Sequence, residues 1–175
     1  MTDLERFENI LKFTLKSEGG YSNDPDDPGK ATNKGITQKT YDDYRVDYKQ
    51  LPVNDVKDIT DAEVSEIYHE LYWSIANCEM LSTPIAEVVF DTAVNCGVVT
   101  AKKMLQRAVG VTDDGSIGKY TLAHITDKNA LMVADLVLDQ RRDYYDKIML
   151  KNPKLEKYRK GWFKRIDELK SYLTA

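Results

Sequence analysis

Apolar residues recur at helical spacing through most of the chain, and this periodicity predicts a mainly α fold. The first helix is predicted over residues 3–17, where one face carries Leu4, Phe7, Ile10, Leu11 and Leu15. The same spacing, with caps at Thr37 and Thr60, predicts further helices over about 37–45, 60–75, 83–96, 101–108, 119–125, 130–148 and 155–173. Because no strand pattern of useful length appears, we expect helices to form the core.

A polar segment separates the first helix from the rest of the chain. It begins at Gly19 and Gly20, which disfavour a helix and are expected to permit a left-handed turn. Residues 21–35 are then dense in aspartate, asparagine, proline and glycine. Because these residue types form turns, the segment predicts a loop or a short irregular hairpin.

Composition and charge limit the classes of protein that fit. The chain has 175 residues, 42% of them hydrophobic, which is enough for one core or for one core with a small C-terminal lobe. Residues 1–140 carry 14 Lys and Arg against 24 Asp and Glu, whereas residues 141–175 carry 11 against 5. The basic tail is typical of a solvated helix face, and attraction to an anionic polymer such as the cell envelope is the alternative. The acidic majority opposes nucleic acid as a partner.

The N-terminal residues lack a basic segment followed by an apolar stretch, and no apolar run is long enough to span a membrane. We therefore expect synthesis in the cytoplasm without a signal peptide and no membrane insertion. A target outside the membrane would have to be reached through a holin-like or secretion route. Cys78 and Cys96 predict two buried free thiols, with one disulfide as the alternative. We expect no metal, no cofactor and, without a coiled-coil seam, a monomer.

The end of the first helix supplies the candidate chemistry. Cleavage of a glycosidic bond needs a proton donor of raised pKa and a second group that positions or activates the nucleophile. Glu18 suits the first role, because the negative end of a helix dipole disfavours an ionised carboxylate. Asp27 and Thr32 follow in the polar segment and suit the second role. On composition alone, an ordinary helix-terminal glutamate and an acidic turn remain the alternative.

The string EGGYSNDPDDPGKATNKGIT, residues 18–37, resembles the signature of glycoside hydrolase family 108. This family comprises N-acetylmuramidases among phage endolysins and bacterial proteins, some of them described as secretion activators. The resemblance implies a lysozyme-like α-helical fold, hydrolysis of the β-1,4 bond between N-acetylmuramic acid and N-acetylglucosamine, and Glu18 as the catalytic acid. Tyr21 of the motif becomes a candidate for substrate contact. By a weaker similarity to phage lysozymes, Asp27 and Thr32 form the supporting pair. The chain departs from the family pattern at Lys30, where a second glycine is usual.

A second string, which begins with FDTAVNCG at residues 90–97, resembles the predicted peptidoglycan-binding region of the same family. The resemblance implies a catalytic segment over residues 1–90 and a peptidoglycan-binding helical region over 91–175, packed as one compact unit. Asp91 and Asn95 lie on one helical face, and two roles are open for them: sugar contact or buried hydrogen bonding. Tyr72 and Trp73 predict an aromatic sugar platform, with an ordinary core role as the alternative.

Three functions fit these observations. The first is a muramidase that hydrolyses the glycan strand of peptidoglycan. The second is a lytic transglycosylase, in which Glu18 acts as both acid and base and the 6-hydroxyl of muramic acid replaces water. The third is a non-catalytic protein that binds the cell wall or assists secretion. An intact Glu18 argues against the third, and Asp27 with Thr32 favours the first over the second.

Overall fold

The computed structural model describes residues 1–23, 31–125 and 129–175, and it confirms the mainly α, lysozyme-like prediction. The helices are α1 (Asp3–Leu15), α2 (Gln38–Asp43), α3 (Asp61–Tyr68), α4 (Thr83–Cys96), α5 (Val98–Ala108), α6 (Lys119–Ala123), α7 (Ala130–Lys151) and α8 (Arg159–Leu173). Helix α2 continues as a π-helical turn over Tyr44–Tyr48, and α3 continues as another over His69–Ser74. Short 3-10 turns cover Val56–Asp58, Cys78–Met80 and Pro153–Tyr158.

The chain folds into two compact units, Met1–Leu71 and Tyr72–Ala175. Helix α4 packs against α5 and α7 and belongs wholly to the second unit. The predicted division into a catalytic region over residues 1–90 and a peptidoglycan-binding region over 91–175 stays a prediction. That the two predicted regions pack together as one compact unit stays a prediction.

Helix α1 ends earlier than its apolar periodicity predicts. It begins in a capping box, in which the Thr2 hydroxyl accepts from the Glu5 amide and the Glu5 carboxylate accepts from the Thr2 amide. It ends at Leu15 rather than at residue 17. The amides of residues 16, 17 and 18 then each donate to the carbonyl three residues earlier, at 3.2 Å. This tighter winding carries the chain through Glu18.

A small antiparallel sheet follows, in the order β1 (Ser22–Asn23), β2 (Ala31–Asn33) and β3 (Ile36–Thr37). The predicted short hairpin is therefore confirmed. Asn33 pairs with Ile36, so only Lys34 and Gly35 form the turn between β2 and β3, with φ of 50° and 78°. Two consecutive positive φ values are typical of a type I′ hairpin turn, in which glycine is favoured.

The prediction of a left-handed turn at Gly19 and Gly20 was wrong, because neither residue has a positive φ. Among the described residues of the first unit, the glycine with a positive φ is Gly35. Helix α1 has already ended at Leu15, where the chain begins to wind more tightly. The paired glycines therefore follow the helix without a left-handed residue.

Helix α4 is the centre of the second unit. It begins with Thr83 and Pro84 as predicted, and nine successive residues, Ile85–Ala93, are buried. A helix buried on every side needs neighbours all round it, and α5, α7 and α8 supply them. Gly97, with φ of 91°, makes the sharp connection to α5.

The C-terminal helix starts later than predicted, because Pro153 begins a 3-10 turn and α8 itself starts at Arg159. Trp162 is half-buried and stacks on Tyr145 with ring centres 4.5 Å apart. Cys78 and Cys96 are both free thiols, as predicted. Cys78 is buried, whereas Cys96 is only half-buried.

Over the described ranges, no helix has both the length and the apolar character that crossing a membrane requires.

Candidate active site

Glu18 is the residue around which the candidate site of the first unit is built. It follows α1 directly, at the end of the tight winding, and its side chain is half-buried. The winding fixes its backbone, because the Glu18 amide donates to the Leu15 carbonyl. The carboxylate is thus carried by a short segment whose backbone is restrained. A catalytic acid needs such restraint, because it must keep one orientation.

The turn at Gly35 lies directly against this carboxylate. A Cβ atom built on Gly35 would stand 2.8 Å from Glu18 Oε2 and 2.4 Å from the Tyr68 hydroxyl. Both oxygens therefore surround one point beside the backbone of the turn, a point that any other residue type would fill. Glycine is needed here twice, for its positive φ and for the absence of a side chain.

Tyr68, on the inner face of α3, holds the same turn from the other side. Its hydroxyl donates to the Lys34 carbonyl at 3.0 Å, and its side chain is only 2% exposed. The Lys34 ammonium group forms an ion pair with Asp61 in the first turn of α3, and it holds the pKa of the Asp61 carboxyl below its usual value. The backbone and the side chain of Lys34 are thus both attached to α3.

The β2 end of the hairpin has its own anchor. The Asn33 side chain is buried, and its amide nitrogen donates to the carbonyls of Val56 and Lys57, both at 3.1 Å. A buried amide that satisfies two loop carbonyls makes the position of the strand strongly dependent on this residue. The turn beside Glu18 is therefore attached to α3 on one side and to the 3-10 turn on the other.

Helix α3 is in turn fixed to α2 and its π-helical extension. Glu63 accepts from the Tyr41 hydroxyl at 2.8 Å and pairs with Arg45 at 2.7 Å. One turn further along α3, Glu66 accepts from Tyr44 and pairs with Lys49. These contacts are partly buried, so they restrain the helix that carries Tyr68 more firmly than fully exposed ion pairs do.

The other residues predicted for catalysis and for the first part of the substrate site lie near this hairpin in sequence. Thr32 is the central residue of β2, opposite Ser22 on one side and Thr37 on the other. Tyr21 precedes β1 and is 41% exposed, with the Lys57 ammonium 6.0 Å from its ring centre. Asp27 lies outside the described residues, so its proposed role stays a prediction.

Tyr72, Trp73, Asp91 and Asn95 belong to the second unit. Trp73 is fully buried, and its ring meets Phe90 edge-on with centres 5.8 Å apart, so in this structure it has the core role. Tyr72, the residue before Trp73 in the π-helical turn, is half-buried. Of this aromatic pair, only Tyr72 keeps surface that a sugar ring can contact.

Asp91 is completely buried between two arginines. Its carboxylate pairs with Arg141 at 2.8 Å and with Arg165 at 2.6 Å. In this structure it therefore makes the buried contacts, the second of its two predicted roles, and it has no surface for a sugar. Asn95, one turn further on, is exposed and donates to the Asp91 carbonyl at 2.7 Å.

Sequence reasoning missed Tyr68 altogether. Its place beside Ile67, on an apolar helical face, is typical of an ordinary core aromatic, and its hydroxyl contact lies 34 positions away in the chain. Gly35 was within the recognised motif, but its contact with the Glu18 carboxylate is visible only in three dimensions. No local pattern distinguishes either residue.

Metal ligands are also relevant to the chemistry of the site. Within the part of the chain that the structure describes, no group of three His, Cys, Asp or Glu side chains is placed to hold a metal ion. His69 meets the Phe7 ring edge-on at 4.9 Å, and His124 lies 2.8 Å from the Tyr120 carbonyl through Nδ1. The two histidines belong to different units.

Substitution of Gly35 by alanine tests the close approach of the turn to Glu18. We expect a loss of at least about 1–2 kcal/mol in the free energy of unfolding, because the left-handed conformation disfavours a Cβ, with a further cost from the contacts. The added atom should also displace the Glu18 carboxylate. Gly19→Ala is the control, since a Cβ there meets nothing within 4 Å. Equal behaviour of the two variants in urea unfolding would contradict this geometry.

Comparisons with known proteins match both parts of the chain. The family model described as glycosyl hydrolase 108 matches residues 11–97, and the model described as a predicted peptidoglycan domain matches residues 100–167. Among solved structures, SagA of Brucella abortus matches with a TM-score of 0.78 and 31% sequence identity, over 97% of this chain and 94% of SagA. None of the curated proteins compared with the chain matched it.

Proposed function

The chain belongs to glycosyl hydrolase family 108, and from this membership we propose that it hydrolyses the β-1,4 bond between N-acetylmuramic acid and N-acetylglucosamine. Its function concerns peptidoglycan, since a predicted peptidoglycan domain follows the hydrolase region. The observation that carries the proposal is the Glu18 carboxylate, held at the end of α1 against the backbone of the Gly35 turn.

In the proposed reaction, Glu18 is the general acid. Its protonated carboxyl donates to the glycosidic oxygen as the bond to the anomeric carbon breaks, so that the leaving sugar departs as an alcohol. The end of α1 supports this role, because the negative end of the helix dipole disfavours a carboxylate beside it. Partial burial of the side chain acts in the same direction.

The second role, positioning the attacking water, is proposed for Thr32 and Asp27. Thr32 stands in the central strand of the sheet, whose turn contacts Glu18, so its backbone position is fixed relative to the acid. A hydroxyl can orient a water through one hydrogen bond, whereas a carboxylate can also accept its proton. The distance between the two carboxyl groups decides between inversion and retention at the anomeric carbon.

Tyr68 is proposed as a positioning residue for Glu18. Its hydroxyl donates to the Lys34 carbonyl, which holds the turn that lies against the acid. The hydroxyl oxygen and Glu18 Oε2 both lie close to the same point beside Gly35, so the phenol is part of the surroundings of the carboxyl group. The residue therefore locates the turn on which the position of Glu18 depends.

The variant Tyr68→Phe tests this role. We expect the fold to lose only ~0.5–1.5 kcal/mol, while kcat falls about tenfold or more because the acid is less well placed. The pH profile of cleavage should also change, because the hydroxyl group lies close to the same point beside Gly35 as the Glu18 carboxylate. Tyr41→Phe is the matched control, since this buried tyrosine donates to Glu63 instead. An unchanged pH profile in Tyr68→Phe would remove Tyr68 from the mechanism.

Product analysis tests the proposed function itself. Purified peptidoglycan is digested with the protein, and the released fragments are identified by mass spectrometry. The proposal expects fragments that end in reducing N-acetylmuramic acid. Ends in 1,6-anhydro-muramic acid would instead indicate a lytic transglycosylase, and the absence of fragments would indicate a protein that only binds the wall.

A further inference from the structure

A ridge of positive charge lies on the second unit, which contains none of the residues assigned a catalytic role. We call it the lysine ridge. It runs along the chain from the last turns of α7, through the 3-10 turn, to the start of α8. Its members are all exposed: Lys147, Lys151, Lys154, Lys157 and Lys160.

The lysine ridge is not neutralised by its own surroundings. Between residues 147 and 160 the chain has six cationic residues and one acidic residue, Glu156. Among the residues that the structure describes, none of the five lysines pairs with a carboxylate, because the nearby acids are bound elsewhere. Arg159 pairs with Asp146 at 3.0 Å and approaches Glu156 at 3.8 Å, while Arg142 pairs with Asp167.

Helix stability does not explain the whole ridge. Lys147 and Lys151 lie near the C-terminus of α7, where the helix dipole favours cations. Arg159 and Lys160, however, occupy the first turn of α8, which has no acidic residue, and there the dipole disfavours positive charge. A sequence under selection for stability alone would place acids at this end of the helix.

Apolar surface accompanies the charge. A groove beside the ridge is lined by Met149, Leu150, Pro153 and Arg159 together with the acids Asp146 and Glu156, and Leu150 is 82% exposed. A second groove shares Glu156 and Arg159 with the first, and its other lining residues are Lys157, Lys160, Phe163, Lys164 and Asp167. The acids of both grooves are the ones that pair with arginines. Tyr158, 47% exposed, lies between the lysines with the Lys157 ammonium 4.9 Å from its ring centre. Cations and small apolar contacts are thus available on the same surface.

We propose that the lysine ridge and its two grooves bind the carboxylate-bearing stem peptides of peptidoglycan. The proposal rests on the proposed function and specifies which part of the polymer this surface contacts. In intact peptidoglycan the lactyl carboxyl group of N-acetylmuramic acid is amide-linked to the peptide, so the glycan backbone itself carries no charge that the five lysines could neutralise. The peptides carry free carboxylates, and their short apolar side chains fit the surface of Leu150 and Pro153.

The position of the ridge supports this partner over other anionic polymers. The predicted peptidoglycan domain matches residues 100–167 and so includes the whole ridge. Nucleic acid is disfavoured by the net charge of −4, because the remainder of the chain would repel a long polyanion. Stem peptides are short and separately placed, so they can meet the ridge without approaching the acidic remainder.

The test is a pelleting assay with insoluble peptidoglycan, on ice, using the full chain. The triple variant K154Q/K157Q/K160Q is expected to bind about tenfold more weakly than the wild type, and the difference should shrink at high salt. The matched control is K12Q/K16Q/K119Q, which removes three other exposed lysines and changes the net charge equally. The control is expected to bind as the wild type does. Equal binding by the two triple variants would overturn the proposal.

The polymer is then varied to identify the group that is bound. Peptidoglycan whose carboxylates have been converted to amides should lose the contribution of the ridge. So should glycan strands stripped of their peptides by an amidase, once the lactyl carboxylates that the amidase exposes have also been converted to amides. Undiminished lysine-dependent binding to either preparation would overturn the proposal. So would lysine-dependent binding to phosphatidylglycerol vesicles or to duplex DNA that is stronger than binding to intact peptidoglycan.

The outcome is distinguishable from failure of the proposed function. Fragment release from amidase-stripped glycan depends on Glu18 and does not require the ridge. Lysine-dependent binding without any fragment release would therefore reject only the hydrolase proposal. Fragment release with binding that is independent of the lysines would reject only the inference about the ridge.

Discussion

Glu18→Gln is expected to lower the rate of glycan cleavage by at least about 100-fold, the contribution that a positioned general acid typically makes. The amide has nearly the size of the carboxyl group, so it can occupy the space beside the Gly35 turn. It cannot donate a proton to a glycosidic oxygen and become a stable anion. Initial rates of reducing-end release from purified peptidoglycan, measured with equal amounts of folded protein, give the comparison.

Two further variants make this result specific. Glu8→Gln removes an exposed acid on α1, the helix that precedes Glu18, and should retain wild-type activity. Thr32→Ala should lose less activity than Glu18→Gln, because it affects the orientation of water and leaves the acid intact. Wild-type turnover by Glu18→Gln, with an unchanged unfolding midpoint, would exclude Glu18 as the acid.

Asp91→Asn is expected to destabilise the second unit by about 3–5 kcal/mol, the usual cost of removing one partner from a buried ion pair. The substitution leaves the Arg141 and Arg165 guanidinium groups facing a neutral amide, with the Arg141 side chain fully buried. The midpoint of urea unfolding measures the loss. Asp143→Asn is the control, because this aspartate lies on α7 but is exposed. A loss no larger than that of the control would show that the cluster contributes little.

The same cluster predicts how stability depends on pH. Burial by itself raises the pKa of Asp91, but the charges and hydrogen bonds of Arg141 and Arg165 hold it below its usual value. A lowered pKa in the folded state stabilises the protein above the pKa of the unfolded chain, about 3.9 for aspartate. This stabilisation is lost as the pH falls through the folded value. The wild type should therefore lose stability more steeply than Asp91→Asn below about pH 4.

Helices, and the caps that begin them, were readable from the sequence because both are local. The Thr60–Glu63 capping box and the Thr37 cap form as predicted, since each joins residues three positions apart. The bounds of α4 follow equally well from Pro84 and from the apolar run behind it. Helix ends with weak signals shifted, as at Leu15, where 3-10 winding replaced the last predicted turn.

The sequence identified only part of the candidate site, because the remaining residues are brought to it by contacts between distant parts of the chain. Glu18 was identifiable from the motif that follows it, and Gly35 was part of the same motif. The contact of Tyr68 with the Lys34 carbonyl crosses from α3 to the hairpin, and no periodicity encodes it. Similarly, the burial of Asp91 depends on Arg141 and Arg165, which are 50 and 74 positions away.

Digestion of peptidoglycan in water enriched in heavy oxygen tests the central claim most directly. The account predicts that new reducing ends formed by the wild type are N-acetylmuramic acid that has gained one heavy oxygen atom from water. It also predicts that Glu18→Gln forms almost none of them. Labelled ends formed equally by Glu18→Gln, or unlabelled anhydro ends formed by the wild type, would contradict the account.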